Sequence, residues 1–401
     1  MGKSTIMSSL RELYFRHMGL PSGHPLAIEV THAEGIYFYD VHGKRYTDLV
    51  SGVAVSNVGH RHPRVVAAIR DQLDKHLHLM VYGEYILSPQ VKLAQALAKH
   101  LPEGLNSVFF VNSGSEAIEG AIKLAKRHTG RPGIAAFKNA YHGGTAGALS
   151  ILGNEQLKNA FRPLLPAVSL LDFNDEDSLE MINSQTACVV VECIQAEAGI
   201  ILPARGFIKK IRDRCHETGA LMVVDDIQMG FGRTGKLFSF EHDGIIPDIL
   251  CLAKGMGGGM PTGAFIASAT LMKQLSHHPE LGHITTFGGH PLCCAAALAN
   301  LEVITTERLH HHANHKGQAF FNRLSPHPAV KEIRFAGLMM AVELHSKEMT
   351  NRLCELFPEH GLVTDRFLFR PTAFRIAPPL TITESEIGET AETIIHCLDK
   401  L

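Results

Sequence analysis

Features that would direct this chain to a membrane, a nucleic acid or an oxidising compartment are missing from its sequence. No uninterrupted apolar stretch is long enough to span a bilayer, and the first residues lack the apolar core and cleavage site of a signal peptide. The formal net charge of -2 gives no electrostatic reason to expect nucleic acid or an anionic membrane as a partner. The eight cysteines include no CxxC pair, which suits reduced and mostly buried thiols. We therefore expect a cytoplasmic protein that binds neither nucleic acid nor membrane.

The length and the apolar pattern indicate an α/β protein of two domains. At 401 residues the chain exceeds the usual size of one hydrophobic core. From about residue 60 to residue 300, helical patterns alternate with short apolar runs, which predicts a mostly parallel, seven-stranded sheet flanked by crossover helices. The predicted strands are Val108–Val111, Ile134–Phe137, Val168–Leu171, Cys188–Glu192, Leu221–Val224, Ile249–Leu252 and Gly263–Ala267.

The two ends of the chain predict a second, smaller α/β domain. Residues 1–55 contain an amphipathic helix pattern and a hairpin pattern, and residues 301–401 contain further helices and strands. We therefore predict a large domain over residues 56–300 and a small domain built from both ends. Within the large domain the clearest predicted helices are Glu116–Arg127 and Gly206–Thr218.

Two charged side chains stand out because each follows a buried apolar run. Asp225 comes directly after Ala220–Val224, and Lys254 comes just after Ile249–Leu252. Ligands of open α/β sheets bind beyond the carboxyl ends of the strands, so the carboxylate and the amine should lie on that edge, called the rim below. A carboxylate that holds a pyridinium nitrogen and a lysine that forms a Schiff base are what pyridoxal phosphate (PLP) requires of a protein. The sequence therefore predicts a PLP enzyme.

A phosphate site is predicted where the strand Val108–Val111 meets the next helix. Exposed backbone N–H groups and the macrodipole at a helix N-terminus favour an anion. Ser113 and Ser115 add hydroxyl donors, and Gly114 lets the backbone approach closely. Taken alone, these residues would be read as an ordinary helix cap. Together with the predicted carboxylate and lysine, they are better interpreted as a phosphate site.

Further polar and aromatic side chains fall on the same predicted rim. Tyr141 offers an aromatic face for a planar cofactor, and His142 follows it. Glu192 ends a predicted strand, Glu197 follows in the next loop, and Gln228 lies shortly after the predicted carboxylate. Each has an ordinary alternative, because loop tyrosines are often half-buried packing residues and loop acids and amides often only structure the loop. Their common position makes cofactor or substrate contacts the better interpretation.

A metal site and a dinucleotide site are both considered and set aside. Among the 25 histidines, His311 and His315 lie one helical turn apart, but no other side chains with ligand character cluster near them. A solvated helix face explains them better. The glycine run after Lys254 lacks the GxGxxG spacing, and Pro261 interrupts any following helix. We therefore predict neither a metal nor a dinucleotide.

With these residues identified, the chain resembles the class III aminotransferases, PLP enzymes of fold type I. The likeness extends almost from end to end, and its most specific segments are VNSGSEAIEGAIKLAKRHTGR, DDIQMGFGRTGK and DILCLAKGMGGGMPTGAF. The resemblance implies that Lys254 forms the Schiff base and that Asp225 pairs with the pyridine nitrogen. It assigns the remaining cofactor contacts to Tyr141 (stacking), Gln228 (ring oxygen) and Ser113, Gly114 and Ser115 (phosphate).

The same resemblance implies a homodimer and an arginine for a substrate carboxylate. TTFGGHP resembles the segment that reaches across the dimer interface in this family, so Thr286 would bind the phosphate of the neighbouring subunit's cofactor. FRIAPPL places Arg375 where the family keeps the arginine for a substrate carboxylate. Glu197 matches the glutamate that, in ornithine-type members, pairs with this arginine and neutralises it for amine donors.

Two departures from the family pattern bear on the substrate. Acetylornithine and ornithine members usually carry an arginine where this chain has Gly144, and ornithine aminotransferases carry a tyrosine where it has Val53. Without both residues, a donor carboxylate would lack its bidentate partner. Tyr82 and Val53 are expected to shape the substrate pocket. A smaller departure, Asp226 in place of the family's glutamate, has no consequence that the sequence reveals.

These departures predict a donor that reacts through a terminal amine. Segments such as FRPLLP and TTFGGHPLCCAAALA look most like the putrescine branch of the family, so a diamine or an ornithine-like donor is expected, with 2-oxoglutarate as the acceptor. One alternative is an acetylornithine or ornithine aminotransferase that binds the donor carboxylate through another residue. A second alternative is a PLP-binding regulator without catalysis.

Overall fold

The computed structural model describes residues 9–401, which form three β-sheets. In the largest sheet, Gly263–Ala267 runs antiparallel to both of its neighbours, and the other pairs are parallel. In spatial order its seven strands are Ser107–Val111, Gly263–Ala267, Ile249–Leu252, Leu221–Asp225, Thr186–Val191, Gly133–Phe137 and Val168–Leu171. The predicted fold class is therefore confirmed, and every predicted strand of this sheet is present.

These strands form because their residues can be buried on both faces. All residues of Thr186–Val191 and of Ile249–Leu252 are buried, as expected for strands covered by helices on two sides. The helix Gly114–Thr129 covers one face with side chains that recur at helical spacing, among them Ile118, Ala121 and Ile122. The apolar pattern of the sequence therefore fixes both the strands and the face that each helix presents to them.

Further helices surround the large sheet. Helix Pro291–Thr306 is apolar on most sides and largely buried because it packs against Pro63–Leu73 and Ser88–His100. The other helices of this region are Ala146–Ser150, Glu155–Lys158, Phe207–Thr218 and Ala269–Met272, with short 3-10 turns at Asn159–Phe161, Asp177–Met181, Ser239–His242, Lys254–Met256 and Lys273–Leu275. None of the helices within residues 9–401 is long and apolar enough to cross a membrane.

The two ends of the chain build the smaller sheets together. One sheet contains the strands Val30–Glu34, Tyr37–Asp40 and Arg45–Asp48, and the last of these pairs in parallel with Leu362–Val363. The other sheet is antiparallel and contains Val330–Ala336, Met339–Leu344 and Ala373–Ile376. The helices here are Leu10–His17, Leu309–Leu324, Lys347–Glu359 and Glu384–Leu398. The N-terminal hairpin and the C-terminal part therefore share one sheet, while the limits of the two domains remain predictions.

Arg233 joins these ends of the chain behind the rim of the large sheet. Its side chain is fully buried and donates hydrogen bonds to the carbonyl oxygens of Leu338 and Pro378 and to Oδ1 of Asn57. Asn57 in turn donates to the carbonyl oxygen of Phe231 at 2.9 Å. Because the guanidinium is buried, its pKa is lowered to about 9. A single buried side chain thus connects segments from the beginning, middle and end of the sequence.

A left-handed turn leads from the hairpin to the rim. Residues 51–54 have φ values from 52° to 63°, a conformation that costs about 1–2 kcal/mol for each residue that is not glycine. The β-branched Val53 is the least suited to it. Hydrogen bonds hold the turn: Oδ1 of Asp48 accepts from the backbone N–H of Ser51 at 2.8 Å, and Oγ of Ser51 donates to the carbonyl oxygen of Ala377 at 2.7 Å.

The helix Gly114–Thr129 lies so close to the sheet that a side chain at Gly120 would overlap the ring of Phe265. We expect Gly120→Ala to lower the free energy of unfolding by about 1–3 kcal/mol, because overpacking forces the core to shift. Urea denaturation measures this change. Gly388, inside helix Glu384–Leu398, is the matched control. A methyl group added there would meet no other part of the protein within 4 Å, apart from the backbone of its own helix. Gly388→Ala should stabilise by up to about 1 kcal/mol, and a Gly120→Ala protein as stable as wild type would contradict the close packing.

Candidate active site

The rim of the large sheet encloses a cleft of about 460 Å³. The cleft lies where several strands end, because the polar residues that follow parallel strands all emerge at the same edge. Most of the predicted cofactor contacts line it within one chain, namely Ser113, Gly114, Ser115, Tyr141, His142, Glu192, Asp225, Gln228 and Lys254. The sequence therefore located the cleft and most of its polar wall.

One end of the cleft is closed by the N-terminus of helix Gly114–Thr129. Ser113 caps this helix, with its Oγ accepting from the backbone N–H of Glu116 at 3.2 Å. The N–H groups of Gly114 and Ser115 belong to the first turn, which has no intrahelical acceptors, and no other acceptor for them is found among residues 9–401. Free donors at the positive end of a helix dipole suit a phosphate group.

The carboxylate of Asp225 is held in the floor of the cleft. Its Oδ2 lies 2.7 Å from Nδ1 of His142, and its Oδ1 accepts from the backbone N–H of Ile227 at 3.1 Å. Both side chains are buried. Each carboxylate oxygen still has a lone pair for a second hydrogen bond. His142, predicted from the sequence as a cofactor contact, therefore fixes the orientation of the Asp225 carboxylate in the cleft.

Lys254 lies at the start of a short 3-10 turn, directly after Ile249–Leu252, with φ of 45°. Burial lowers the pKa of its amine below the ordinary 10.5, and the nearby carboxylates, above all Glu197, oppose this change. A lowered pKa increases the fraction of neutral amine, the form that attacks a carbonyl. The lysine therefore has the surroundings that Schiff-base chemistry requires.

A second acid, Glu192, lies beside the floor of the cleft. Its Oε2 accepts from the backbone N–H of Tyr141, and its Oε1 accepts from that of Ala196, both at 3.3 Å. Burial and the neighbouring Asp225 raise the pKa of Glu192 well above its usual value. Glu192 therefore keeps its proton to a higher pH than an exposed glutamate does.

Arg375 lies behind the wall of the cleft in a closely bonded cluster. Its Nη2 donates to Oε1 of Glu197 at 2.9 Å, its Nε to Oδ1 of Asp365 at 2.8 Å, and its Nη1 to Oε1 of Gln228 at 2.6 Å. The guanidinium carbon lies 4.6 Å from the ring centre of Phe367. The predicted arginine–glutamate pair is therefore formed, and the arginine is 1% exposed, so a ligand cannot reach it without displacing a partner.

Sequence reasoning missed two features of this cluster. Nothing in the sequence around Asp365 indicated a site residue, because it lies in a loop outside the recognised segments. It contacts Arg375 only in the folded protein. Gln228 lines the cleft, but its amide also donates to Oε1 of Glu197 at 3.2 Å and so bridges the ion pair. Its predicted contact with the ring oxygen of a cofactor stays a prediction.

Besides Glu197 and Arg375, three predicted residues do not line the cleft within a single chain. The left-handed turn brings Val55 rather than Val53 to its wall. Tyr82 lines a separate cavity of about 590 Å³, together with Thr285. Thr286 is exposed. Val53 and Tyr82 therefore do not shape this cleft within one chain, contrary to expectation. The contact of Thr286 with a neighbouring subunit stays a prediction.

Additional residues of the wall were not singled out from the sequence. Asn112, Ile227, Met260 and Thr262 all line the cleft. Each lies inside or beside a recognised segment, so proximity to those segments was the available signal. The hydroxyl of Thr262 is buried and has no hydrogen-bond partner among the described residues, which leaves it available to a bound molecule.

Comparisons with known proteins support one family. A family model described as "Aminotransferase class-III" matches residues 19–398. The acetylornithine aminotransferase of Methanopyrus kandleri is 39% identical over 385 residues, 95% of this chain and 96% of the relative. That of Archaeoglobus fulgidus is 38% identical over 371 residues, 92% and 95% of the two chains.

Solved structures give the same result for the fold. The ornithine aminotransferase from Toxoplasma gondii, whose description mentions PLP at its active site, matches with a TM-score of 0.90 at 30% identity, over 97% of this chain and 94% of that chain. A transaminase from the marine bacterium Virgibacillus matches with a TM-score of 0.92 at 29% identity, over 98% and 99% of the two chains. The cleft described above fits PLP, because it combines free N–H donors, a fixed carboxylate and a lysine.

Asp226, the residue after Asp225, makes the stability of the folded protein depend on pH. Its Oδ2 accepts from the backbone N–H of Ser239 at 2.9 Å, whereas Oδ1 has no hydrogen-bond partner among the described residues. Burial raises the pKa of Asp226 from 3.8 to about 7. The folded protein thus binds this proton more tightly than the unfolded chain, so stability is lost as the pH rises from about 4 through 7.

We expect Asp226→Asn to raise the free energy of unfolding at pH 8 by about 1–3 kcal/mol, because asparagine stays neutral and keeps an oxygen for Ser239. Below pH 4 the difference should disappear, since aspartate is then neutral as well. Urea denaturation at pH 4, 6 and 8 measures the effect. Asp172→Asn, at an exposed aspartate that pairs with Lys138, is the control and should show no such gain. A gain of equal size at every pH would contradict the raised pKa.

Proposed function

The chain belongs to the class III aminotransferases, which are PLP-dependent, and we propose that it moves the terminal amino group of a diamine or ornithine-like donor to 2-oxoglutarate. The observation that carries this proposal is the closed cluster around Arg375. An arginine already neutralised by Glu197 does not attract a carboxylate on the reacting carbon of the donor. A terminal amine has no carboxylate there, so it fits the site as it stands.

The distribution of positive charge in the cleft supports the same donor. Within residues 9–401, Lys254 is the one lysine or arginine that lines the cleft, and Gly144 stands where acetylornithine and ornithine members usually have an arginine. A carboxylate at the far end of a donor therefore lacks the bidentate partner that binds it best. A diamine needs no such partner.

The residues of the cleft have distinct tasks in the proposed reaction. When bound, PLP supplies an aldehyde that captures amines and a pyridinium ring that takes up electrons. Asp225, fixed by His142, holds the proton on the ring nitrogen. The first turn of helix Gly114–Thr129 binds the phosphate. Nζ of Lys254, neutral at lower pH than an exposed lysine, removes the proton from the reacting carbon of the donor as a general base.

The acceptor half of the reaction requires Arg375 to become available. A 2-oxo acid carries a carboxylate on its reacting carbon, and a bidentate guanidinium contact is the strongest way for a protein to bind it. Glu197 must then leave Nη2 of Arg375. Because Gln228 also bonds to Glu197, its amide moves or changes partner in the same step. We propose this exchange as the way in which one site takes both substrates.

The relatives favour a second candidate, N-acetylornithine as the donor. Three relatives that match over more than nine-tenths of this chain are named acetylornithine aminotransferases. N-acetylornithine also reacts through a terminal amine, so the cluster around Arg375 accepts it equally well. A diamine differs from N-acetylornithine because it has no carboxylate at the far end, the group for which this chain lacks the arginine at Gly144.

We also propose that the active enzyme is a homodimer. The segments 77–86 and 281–287 expose a group of large apolar side chains, and Ile86 is 92% exposed. The group comprises Leu77, Leu79, Tyr82, Tyr85, Ile86, Leu281, Ile284 and Phe287. Contiguous exposed apolar residues mark protein interfaces. Thr286 lies within this surface, where it can reach the phosphate of a second subunit. A cytoplasmic location remains a prediction from the sequence.

Titration of the purified protein with single amine donors, without any acceptor, tests the proposed donor. Putrescine or ornithine should convert the visible absorption of the lysine-bound cofactor to that of pyridoxamine phosphate, and 2-oxoglutarate should restore it. Conversion by N-acetylornithine alone would establish the second candidate. No conversion by any terminal amine would overturn the proposal.

Lys254→Ala is the control variant for this titration. It should lose both the visible band and the conversion, because no lysine attaches the cofactor. Lys138→Ala, which removes a half-exposed lysine that pairs with Asp172, should behave as wild type. Retained transamination in Lys254→Ala would contradict its assignment.

Thr286→Ala should weaken PLP binding by about 10- to 150-fold, because a hydrogen bond to a charged group contributes about 1.5–3 kcal/mol. Titration of the cofactor-free protein with PLP measures the affinity, and light scattering verifies that the dimer persists. Thr31→Ala, at an exposed threonine of strand Val30–Glu34, is the control and should leave the affinity unchanged. An unaltered affinity in Thr286→Ala would count against the shared site.

A further inference from the structure

Arg375 has one more anionic partner than its neutralisation requires. One guanidinium faces two carboxylates, Glu197 at 2.9 Å and Asp365 at 2.8 Å, and the remaining donor is occupied by Gln228. Although burial opposes ionisation, Arg375 holds the pKa of Glu197 below its usual value. The cluster therefore carries an excess of negative charge when both carboxylates are ionised.

The two carboxylates differ in how firmly they are attached to the arginine. The backbone N–H of Arg375 donates to the carbonyl oxygen of Asp365 at 3.0 Å, so the two residues are also joined through their main chains. Glu197 comes from another loop, beyond strand Thr186–Val191. Movement of Glu197 away from Nη2 leaves Asp365 on Nε. Asp365 thus stays beside Arg375 whether the site binds a donor or an acceptor. Burial raises the pKa of Asp365, and the adjacent guanidinium of Arg375 opposes that rise.

The cluster is close enough to the cleft for this charge to act on a substrate. Gln228 lines the cleft and bonds to both Arg375 and Glu197. Glu197 and Arg375 are also the two charged groups with the largest influence on the pKa of Lys254 after burial. Arg375 therefore lies one side chain, that of Gln228, behind the wall of the cleft.

We propose that Asp365 is a specificity-determining residue that disfavours any substrate with a carboxylate on its reacting carbon. It repels that carboxylate while holding Nε of Arg375. A terminal amine has only hydrogens at this position and is not repelled. The inference deepens the proposed function and rests on it, because it takes Arg375 as the arginine that binds a substrate carboxylate.

Calorimetric titration of the PLP-loaded protein with glutarate, a dicarboxylate with no reactive group, tests the repulsion directly. Asp365→Asn removes the charge but keeps an oxygen for Nε of Arg375. Glutarate should bind Asp365→Asn about 3- to 30-fold more tightly than wild type, since one nearby like charge has been removed. Equal or weaker binding to the variant, or no measurable binding to either protein, would overturn the proposal.

Two controls separate the charge from structural damage. Asp365→Glu keeps the charge and should bind glutarate with wild-type affinity. Asp248 accepts from Nη1 of Arg212 at 2.7 Å and precedes strand Ile249–Leu252, at the sheet edge opposite the rim. Asp248→Asn should therefore leave glutarate binding unchanged. Tighter binding in Asp248→Asn or in Asp365→Glu would contradict a local effect of the charge at Asp365.

The donor selectivity gives a second and independent readout. L-glutamate and 4-aminobutyrate differ only in the carboxylate on the reacting carbon, so the ratio of their kcat/KM values in the first half-reaction isolates its effect. Asp365→Asn should shift this ratio toward glutamate by about tenfold. General damage lowers both values and leaves the ratio unchanged, which would overturn the proposal.

The proposed function and this inference fail in different experiments. If no terminal amine converts the cofactor in the donor titration, the proposed donor class is wrong. Tighter glutarate binding in Asp365→Asn would still support the role of Asp365. If a terminal amine is the donor and glutarate binding does not change, only the inference is wrong.

Discussion

The register of the parallel strands is the constraint on which the active site depends. Val191 pairs with Val224, and Asp225 pairs with Cys251, so the residues that follow these strands emerge side by side. A slip of one residue would turn each side chain to the opposite face of the sheet. Asp225 would then leave His142 and the cleft. The buried apolar strands therefore do more than form the core, because they fix the spacing of the groups that act on the substrate.

The carboxyl groups of the site differ in pKa and in hydrogen bonding because each has different neighbours. Asp225 is held by His142 and a backbone N–H group, whereas burial and Asp225 itself raise the pKa of Glu192. Glu197 is kept ionised by Arg375 in spite of its burial. Three buried carboxyl groups near Lys254 thus have three different surroundings: Asp225 is held by His142, Glu192 accepts from two backbone N–H groups, and Glu197 is paired with Arg375.

The sequence predicted the large sheet and the rim well because both depend on local patterns. The strand predicted at Leu221–Val224 occupies Leu221–Asp225, and the one predicted at Cys188–Glu192 occupies Thr186–Val191. Short apolar runs followed by a charge are visible in one dimension, and parallel topology then places the charges together.

Other features of the site could not be predicted because they depend on contacts between distant segments. Asp365 meets Arg375 through a loop with no distinctive composition, and Arg233 finds its carbonyl partners only after both ends of the chain have packed. The left-handed turn around Val53 contradicts the preference of its own residues, and hydrogen bonds from other segments maintain it. Tyr82 lies outside the cleft of its own chain, which no local pattern reveals.

The strand Leu362–Val363 affects how the chain can fold while it is being synthesised. The N-terminal hairpin leaves the ribosome early, yet its sheet is completed only by this late strand, and Arg375 follows closer still to the C-terminus. At translation rates of about 5–20 residues per second, the hairpin waits many seconds for its partner. The strands that carry Asp225 and Lys254 are therefore synthesised well before Arg375 and the loop that holds it.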